Sequence, residues 1–234
     1  MRLALISDLH GNLTALDTVL DDINRNPVDA VVCLGDVAAT GPQPRETVGR
    51  LRDLGCPVVM GNADAELLRP PLRPVPEKET DDRRRIREID YWCAAQLSPA
   101  DLDFLGGFRP TIRFGLDAEH SLLCFHGSPR SYDEIITATT PDADLDRMFS
   151  GHEATLMAGG HTHEQLFRRH RDAIFLNPGS VGLSPPFAEY ARVSSTNSRL
   201  GIELRRLPLT LEEIRRSALE SGMPHAEWWT DFWR

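Results

Sequence analysis

Residues 3–12, Leu3-Ala4-Leu5-Ile6-Ser7-Asp8-Leu9-His10-Gly11-Asn12, decide the fold. A short apolar run ends at Asp8, and Leu13, Leu16, Val19, Leu20 and Ile23 then recur at helical spacing. That is the pattern of a strand feeding a helix through a tight turn. It repeats at 30–34, which ends at Gly35-Asp36 and is followed by Val48, Leu51 and Leu54 as the inner stripe of a second helix. Residues 57–60 repeat it again, ending at Gly61-Asn62. Three successive strands that each deliver a polar residue just past their carboxyl ends describe the crevice where open α/β sheets bind ligands.

Further along, the texture changes. Residues 69–76 carry four prolines and read as a loop, since proline fits neither a helix interior nor a central strand. Ile86, Ile89, Cys93 and Leu97 fall on one helical face, and Ser98-Pro99 with Asp101 starts another helix with a cap, a first-turn proline and an early acid. These helices are expected to cover the edge of the site as an insertion over about 66–108. Arg83, Arg84, Arg85 and Arg87 sit among Asp81, Asp82, Glu88 and Asp90, so the face compensates its own charge rather than capturing an anion. From Thr111 onward strands dominate: 122–125 ends at His126-Gly127, 155–158 at Gly159-Gly160-His161, and 174–176 at Asn177-Pro178-Gly179-Ser180. Leu200, Ile202 and Leu204 alternate as in a half-buried strand, and Thr210 with Glu213 forms a capping box for a last helix. The expectation is two packed sheets with helices outside, one domain over 1–222, and a site along one rim.

Composition sets bounds. With 234 residues, 41% hydrophobic and 26% charged, the chain has the make-up of a globular protein. It has no apolar run near the ~20 residues a bilayer crossing needs and no signal-peptide pattern, so a cytoplasmic location without membrane association is expected. Cys33, Cys56, Cys93 and Cys124 form no C-x-x-C pair and are expected as reduced thiols, three of them in or beside apolar runs. A net charge of −9 argues against broad binding to nucleic-acid phosphates.

The strand ends offer Asp8, His10, Asp36, Asn62, His126, His161 and His163, a mix of oxygen and imidazole donors without thiolate. Such a set suits borderline-hard divalent metals. Taken singly, each also reads as a turn or a hydrogen-bonded structural residue. His161 and His163 are stronger together, because an extended i, i+2 pair points both imidazoles to one side.

Ser7-Asp8-Leu9-His10-Gly11-Asn12, Leu34-Gly35-Asp36, Gly61-Asn62-Ala63-Asp64, His126-Gly127-Ser128-Pro129, Gly160-His161-Thr162-His163 and Asn177-Pro178-Gly179-Ser180-Val181-Gly182 occur in this order. In them the chain resembles the calcineurin-like metallophosphoesterases, closest to the small bacterial and archaeal phosphodiesterases. The resemblance implies a four-layer α/β/β/α sandwich of two mixed β-sheets flanked by helices, with a dinuclear metal site at the strand ends. It puts Asp8, His10 and His163 on one ion and Asn62, His126 and His161 on the other, with Asp36 bridging. It implies catalytic roles for Asp36, His10 and Asn62. The cofactors would be two divalent ions about 3.5–4 Å apart that activate a shared water for in-line attack on phosphorus. Mn is the first expectation, with Fe, Zn, Ni and Co also suited to these ligands. Asn12 reads either as a contact to substrate phosphate or as a turn cap, and Arg130 either as a phosphate contact or as a surface ion pair.

Ala63 departs from the wider superfamily, where His commonly follows this Asn and serves the leaving group. Loss of a general acid costs ~10²–10⁴-fold, least for good leaving groups. The small phosphodiesterases of the family also lack His here, so Ala63 points to phosphodiesters. The partners expected are small phosphoesters or nucleotides. A phosphomonoesterase or dinucleoside polyphosphate hydrolase remains the alternative within the superfamily, and a metal-binding scaffold without turnover the alternative outside catalysis. Beyond the resemblance, the tail 223–234 carries Trp228, Trp229 and Trp233. It reads either as packing onto the chain itself or as a homo-oligomer contact, where Trp is an enriched anchor.

Overall fold

The computed structural model describes residues 1–69 and 78–231. The expected proline-rich loop at 69–76 and the residues Phe232 and Trp233 fall, except for Arg69, outside the described residues. In chain order the elements are β1 (Arg2–Ile6), α1 (Leu13–Arg25), β2 (Ala30–Cys33), α2 (Pro44–Leu54), α3 (Asn62–Leu67), α4 (Asp81–Gln96), α5 (Pro99–Gly106), β3 (Ile112–Gly115) and β4 (Ser121–Cys124). They continue with α6 (Asp142–Phe149), β5 (Leu156–Ala158), β6 (Leu166–His170), β7 (Ala173–Asn177), β8 (Phe187–Thr196), β9 (Arg199–Pro208), α7 (Leu211–Glu220) and α8 (Ala226–Thr230).

The strands form two mixed sheets, one ordered β2-β1-β8-β9 and the other β3-β4-β5-β7-β6. β1 runs parallel to β2 and antiparallel to β8. β4, β5 and β7 are parallel neighbours, so their carboxyl ends share a rim. Alternation along β1 shows how the layers arise. Leu3 and Leu5 face inward with Val32, Leu122, Leu156, Leu176 and Val193 to fill the space between the sheets. Ala4 and Ile6 face outward against Leu16 and Val19 of α1 and Val48 and Leu51 of α2. On the far side, Leu123, Phe125, Met157 and Phe175 pack against Leu145 and Phe149 of α6. The four layers are therefore α1/α2, sheet, sheet and α6. Leu5 is completely buried at the central interface, so its truncation to Ala would cost ~2–5 kcal/mol.

Several expectations change in detail. Residues 57–60 form no named strand and reach their neighbours through isolated bridges at Cys33–Val58 and Val59–Arg109. α6 interrupts the strand-rich half, started by Pro141 and anchored by Leu145 and Phe149. Ile86 stands 37% exposed while Ile89 and Cys93 are buried, so the apolar face of α4 packs only from its third turn onward. The Ser98–Asp101 capping box forms, whereas Thr210 caps α7 without a side-chain hydrogen bond. The four cysteines are free thiols, Cys56 half-buried and the others buried. Among the described residues no helix is long and apolar enough to cross a membrane.

Candidate metal centre

The ends of β1 and β2 are stitched together by their backbones. Asp8 N–H donates to Gly35 O, His10 N–H to Asp36 O and Gly11 N–H to Val37 O, each at 2.9 Å. To follow this path, Asp8 (φ 54°), His10 (45°) and Asp36 (55°) adopt the left-handed conformation, and so do His161 (71°) and His163 (59°). Five non-glycine residues at such angles cost ~1–3 kcal/mol each and persist only where the surroundings over-determine them. Two glycines permit the close approach. A Cβ on Gly61 would lie 2.1 Å from Asp36 Oδ1, and one on Gly160 would lie 2.0 Å from Ser7 Oγ.

Two clusters of ligand atoms converge at this rim: Asp8, His10 and His163, and Asp36, His126 and His161. In the first, His10 Nε2 lies 3.0 Å from His163 Nε2. Asp8 Oδ1 is 3.3 Å from His163 Nε2 and 3.8 Å from His10 Nε2. In the second, His126 Nε2 is 2.9 Å from Asn62 Oδ1 and 3.3 Å from Asp36 Oδ2. The same Asp36 oxygen is 3.8 Å from His10 Nε2, so it faces both clusters. All seven residues singled out as ligands are thus brought together. His161 and His163 reach the centre from a bent, left-handed loop rather than as an extended pair, and that bend sends them to different clusters.

The donor set fits divalent cations on independent grounds. Asp8 Oδ1 is buried with no hydrogen-bond partner, an arrangement that is costly unless a cation completes it. His10 Nδ1 lies 3.1 Å from Ala39 O and His126 Nδ1 lies 2.8 Å from Leu34 O. A carbonyl only accepts, so these contacts place a proton on Nδ1, and in the neutral ring, the form that binds a metal, they leave the Nε2 lone pair aimed into the site.

The electrostatics agree. Burial works against charge on His126, but the Asp36 carboxylate beside it raises it to about 10. Burial likewise opposes charge on His163, and Asp8 outweighs it to raise that imidazole. Asp8 and Asp36 are pushed up by burial yet lie below the ordinary carboxylate range, held there chiefly by His163 and His126 respectively. Burial, and then the charge of a neighbouring imidazole, lowers His10 and His161. Without metal, a proton on His126 stands in for part of the cations' positive charge.

Asp64, the last residue of the Gly61–Asp64 motif, has its own task in the absence of an imidazole at position 63. Fully buried, it accepts from Asp36 N–H and Val37 N–H, both at 2.8 Å, and from Gly61 N–H at 3.2 Å. It ties the Asp36 loop to the start of α3, and burial followed by the charge of Asp36 pushes its carboxyl up to about 7. Asn177 and Ser180 also brace the rim. Asn177 Nδ2 donates to Gly160 O at 2.7 Å, and Ser180 Oγ to Asp8 O at 2.8 Å.

The two substrate-contact candidates are engaged elsewhere. Asn12 caps α1, accepting from Ala15 N–H and donating to Gly182 O, both at 3.1 Å. Arg130 pairs with Glu134. The arginine-rich face of α4 compensates itself through Arg84–Asp81, Arg85–Asp82 and Arg87–Glu79. His120, His170 and His225 pair with Asp117, Asp146 and Glu88, away from the centre.

Residues 1–198 match the calcineurin-like phosphoesterase superfamily domain. The chain is 30% identical over 196 residues to the uncharacterized protein MJ0912 of Methanocaldococcus jannaschii, covering 77% of this chain and 76% of that one. Among solved structures, it is similar to a metallophosphoesterase from Sphaerobacter thermophilus, with 27% identity and a TM-score of 0.76 over 99% of this chain and 97% of the other. The hypothetical protein PH1004 from Pyrococcus horikoshii OT3 shares the fold at 16% identity, with a TM-score of 0.81 over 98% and 96% of the two chains. The chain belongs to the calcineurin-like phosphoesterase superfamily. Membership supports a phosphoester hydrolase that uses divalent metal ions.

Proposed function

We propose that this protein is a dinuclear, divalent-metal-dependent phosphodiesterase, with Mn the first metal to test and small phosphodiesters or nucleotides as substrates. The observation that carries the reading is the pair of ligand clusters sharing Asp36, whose Oδ2 faces His126 Nε2 and His10 Nε2. Asp8, His10 and His163 would hold one ion, Asn62, His126 and His161 the other, and Asp36 both. The ions, when bound, supply positive charge that polarises the phosphoester and lowers the pKa of water. Asp8 and Asp36 offset part of that charge, and neutral Asn62 adds no further negative charge to repel an anionic substrate. His10 and His126, oriented through Ala39 O and Leu34 O, present Nε2 without rotating. Ala63 carries only a methyl group where an imidazole could protonate a departing alkoxide, and its N–H is committed to Asp36 Oδ1 at 2.9 Å. Turnover should therefore favour leaving groups that depart as stable anions.

The test compares kcat/KM of Mn-loaded protein on an aryl phosphodiester, an alkyl phosphomonoester and a dinucleoside polyphosphate. The diester should be fastest; a faster monoester or polyphosphate would reassign the enzyme within the superfamily. Absence of all three activities in metal-loaded protein, with partner binding that survives Asp36→Asn, would favour the scaffold. Ala63→His should raise activity on poor leaving groups relative to aryl diesters, and an unchanged ratio would remove Ala63 as the selectivity determinant.

A further inference from the structure

The imidazole of His10 is oriented by Ala39 O, so whatever fixes residues 39–41 fixes His10. This segment is held under constraint. Thr40, a β-branched residue, sits at φ 67°, a conformation such residues rarely adopt. A Cβ on Gly41 would lie 1.7 Å from His10 O, which packs the segment directly on the ligand's own backbone. Three contacts from outside the sheets hold it there. Trp229 Nε1–H donates to Thr40 O at 2.8 Å, Thr40 Oγ1 donates to Asp90 Oδ1 at 2.8 Å, and Cys93 Sγ–H donates to Gly41 O at 3.4 Å. Asp90 and Cys93 belong to α4, and Trp229 to α8, beyond residue 198 where the family match ends. Trp229 is itself 1% exposed, packed among Ile89, Cys93, Ile214, Ala218 and Met223. That cluster joins α4, α7 and α8 into one block, and His225 adds an ion pair to Glu88 at 2.6 Å.

We propose that Trp229 is a positioning residue for the metal centre: through Thr40 it locks the carbonyl of Ala39 that aims His10, so the carboxyl-terminal helices complete a site whose ligands all lie in the family domain. The inference rests on the metal-centre reading above. It also gives Trp229 of the aromatic tail a use within its own chain.

Trp229→Phe removes the N–H and keeps most of the ring packing, and Thr40→Val removes the hydroxyl at nearly constant shape. Equilibrium dialysis with Mn²⁺ gives affinity and stoichiometry, and melting of the metal-free proteins gives stability. Each variant should weaken one of the two Mn sites by ~10-fold, the scale of losing a group that orients a ligand. Thr40→Ser should restore wild-type binding. Ile214→Val, which thins the same cluster without touching Thr40, should lower the melting temperature and bind Mn as wild type does. Unchanged Mn affinity in both Trp229→Phe and Thr40→Val, or an equal loss in Ile214→Val, would overturn the positioning role. A wild-type protein that binds no Mn²⁺ would overturn the metal-centre reading and this inference with it. If Trp229→Phe fails to fold, Thr40→Val decides.

Discussion

The parallel strands β4, β5 and β7 have two ends, and these differ in how their polar groups are satisfied. At the end where they begin lies a cavity of about 800 Å³ lined by Ser121, Asp146, Phe149, His152, Thr155 and Arg171 among others. Within its lining, His170 and Arg171 both pair with Asp146. At the other end a buried carboxylate oxygen accepts no hydrogen bond, five candidate ligands take left-handed backbone, and imidazole nitrogens face one another. At the roomy end the buried imidazole of His170 has its carboxylate, while at the cramped end a buried carboxylate oxygen lacks a hydrogen bond. What marks the functional end is polar groups arranged for something they do not contain, rather than empty volume.

That contrast can be broken most severely at Asp36. Asp36→Asn keeps shape but removes the carboxylate that faces both clusters, and kcat/KM should fall by ~10³-fold or more, beyond the loss of a single transition-state contact. Steady-state kinetics with saturating Mn²⁺ would show it, and retention of a tenth of the activity would contradict Asp36 as the shared ligand. Asp64→Asn should come next. Its amide would turn a donor toward backbone N–H groups now held by Asp64, costing ~1–3 kcal/mol per unsatisfied donor, and metal affinity should fall ~10–100-fold. Denaturant unfolding and metal titration measure the two effects separately.

A third effect concerns protons. His126 is raised from its ordinary 6.5 to about 10, so in metal-free protein its stabilising contribution is complete below pH ~6.5 and is lost as pH rises through about 10. Capture of a cation at pH 7 must expel that proton. Calorimetry of metal binding in buffers of different ionisation enthalpy should register release of about one proton or more, and an enthalpy independent of buffer would contradict it. The smallest effect belongs to the opposite rim. Asp146→Asn should lower the melting temperature slightly and leave kcat/KM within about twofold, as expected for exposed ion pairs.

Much of this was legible in the sequence because the strand–turn–helix units are local. Short apolar runs placed β1 and β2, and the residues just past their ends are the candidate ligands. Residues 57–60 read as a strand because Pro57-Val58-Val59-Met60 is apolar, yet only isolated bridges form there. α6 was hidden because its burial rests on two residues, Leu145 and Phe149. What Asp64 and Trp229 bind was illegible for another reason. Their partners, Val37 and Thr40, are 27 and 189 positions away in the chain, and no local pattern encodes a backbone group as a partner.

The left-handed backbone at Asp8, His10, Asp36, His161 and His163 sets the direction in which this protein would drift under artificial selection. Asn and Gly occupy that conformation more comfortably than Asp or His. A library screened only for heat resistance would therefore enrich replacements at these five positions. The fittest thermostable descendants would be inert, their sheets intact and their chemistry erased, as expected where stability and activity compete for the same residues.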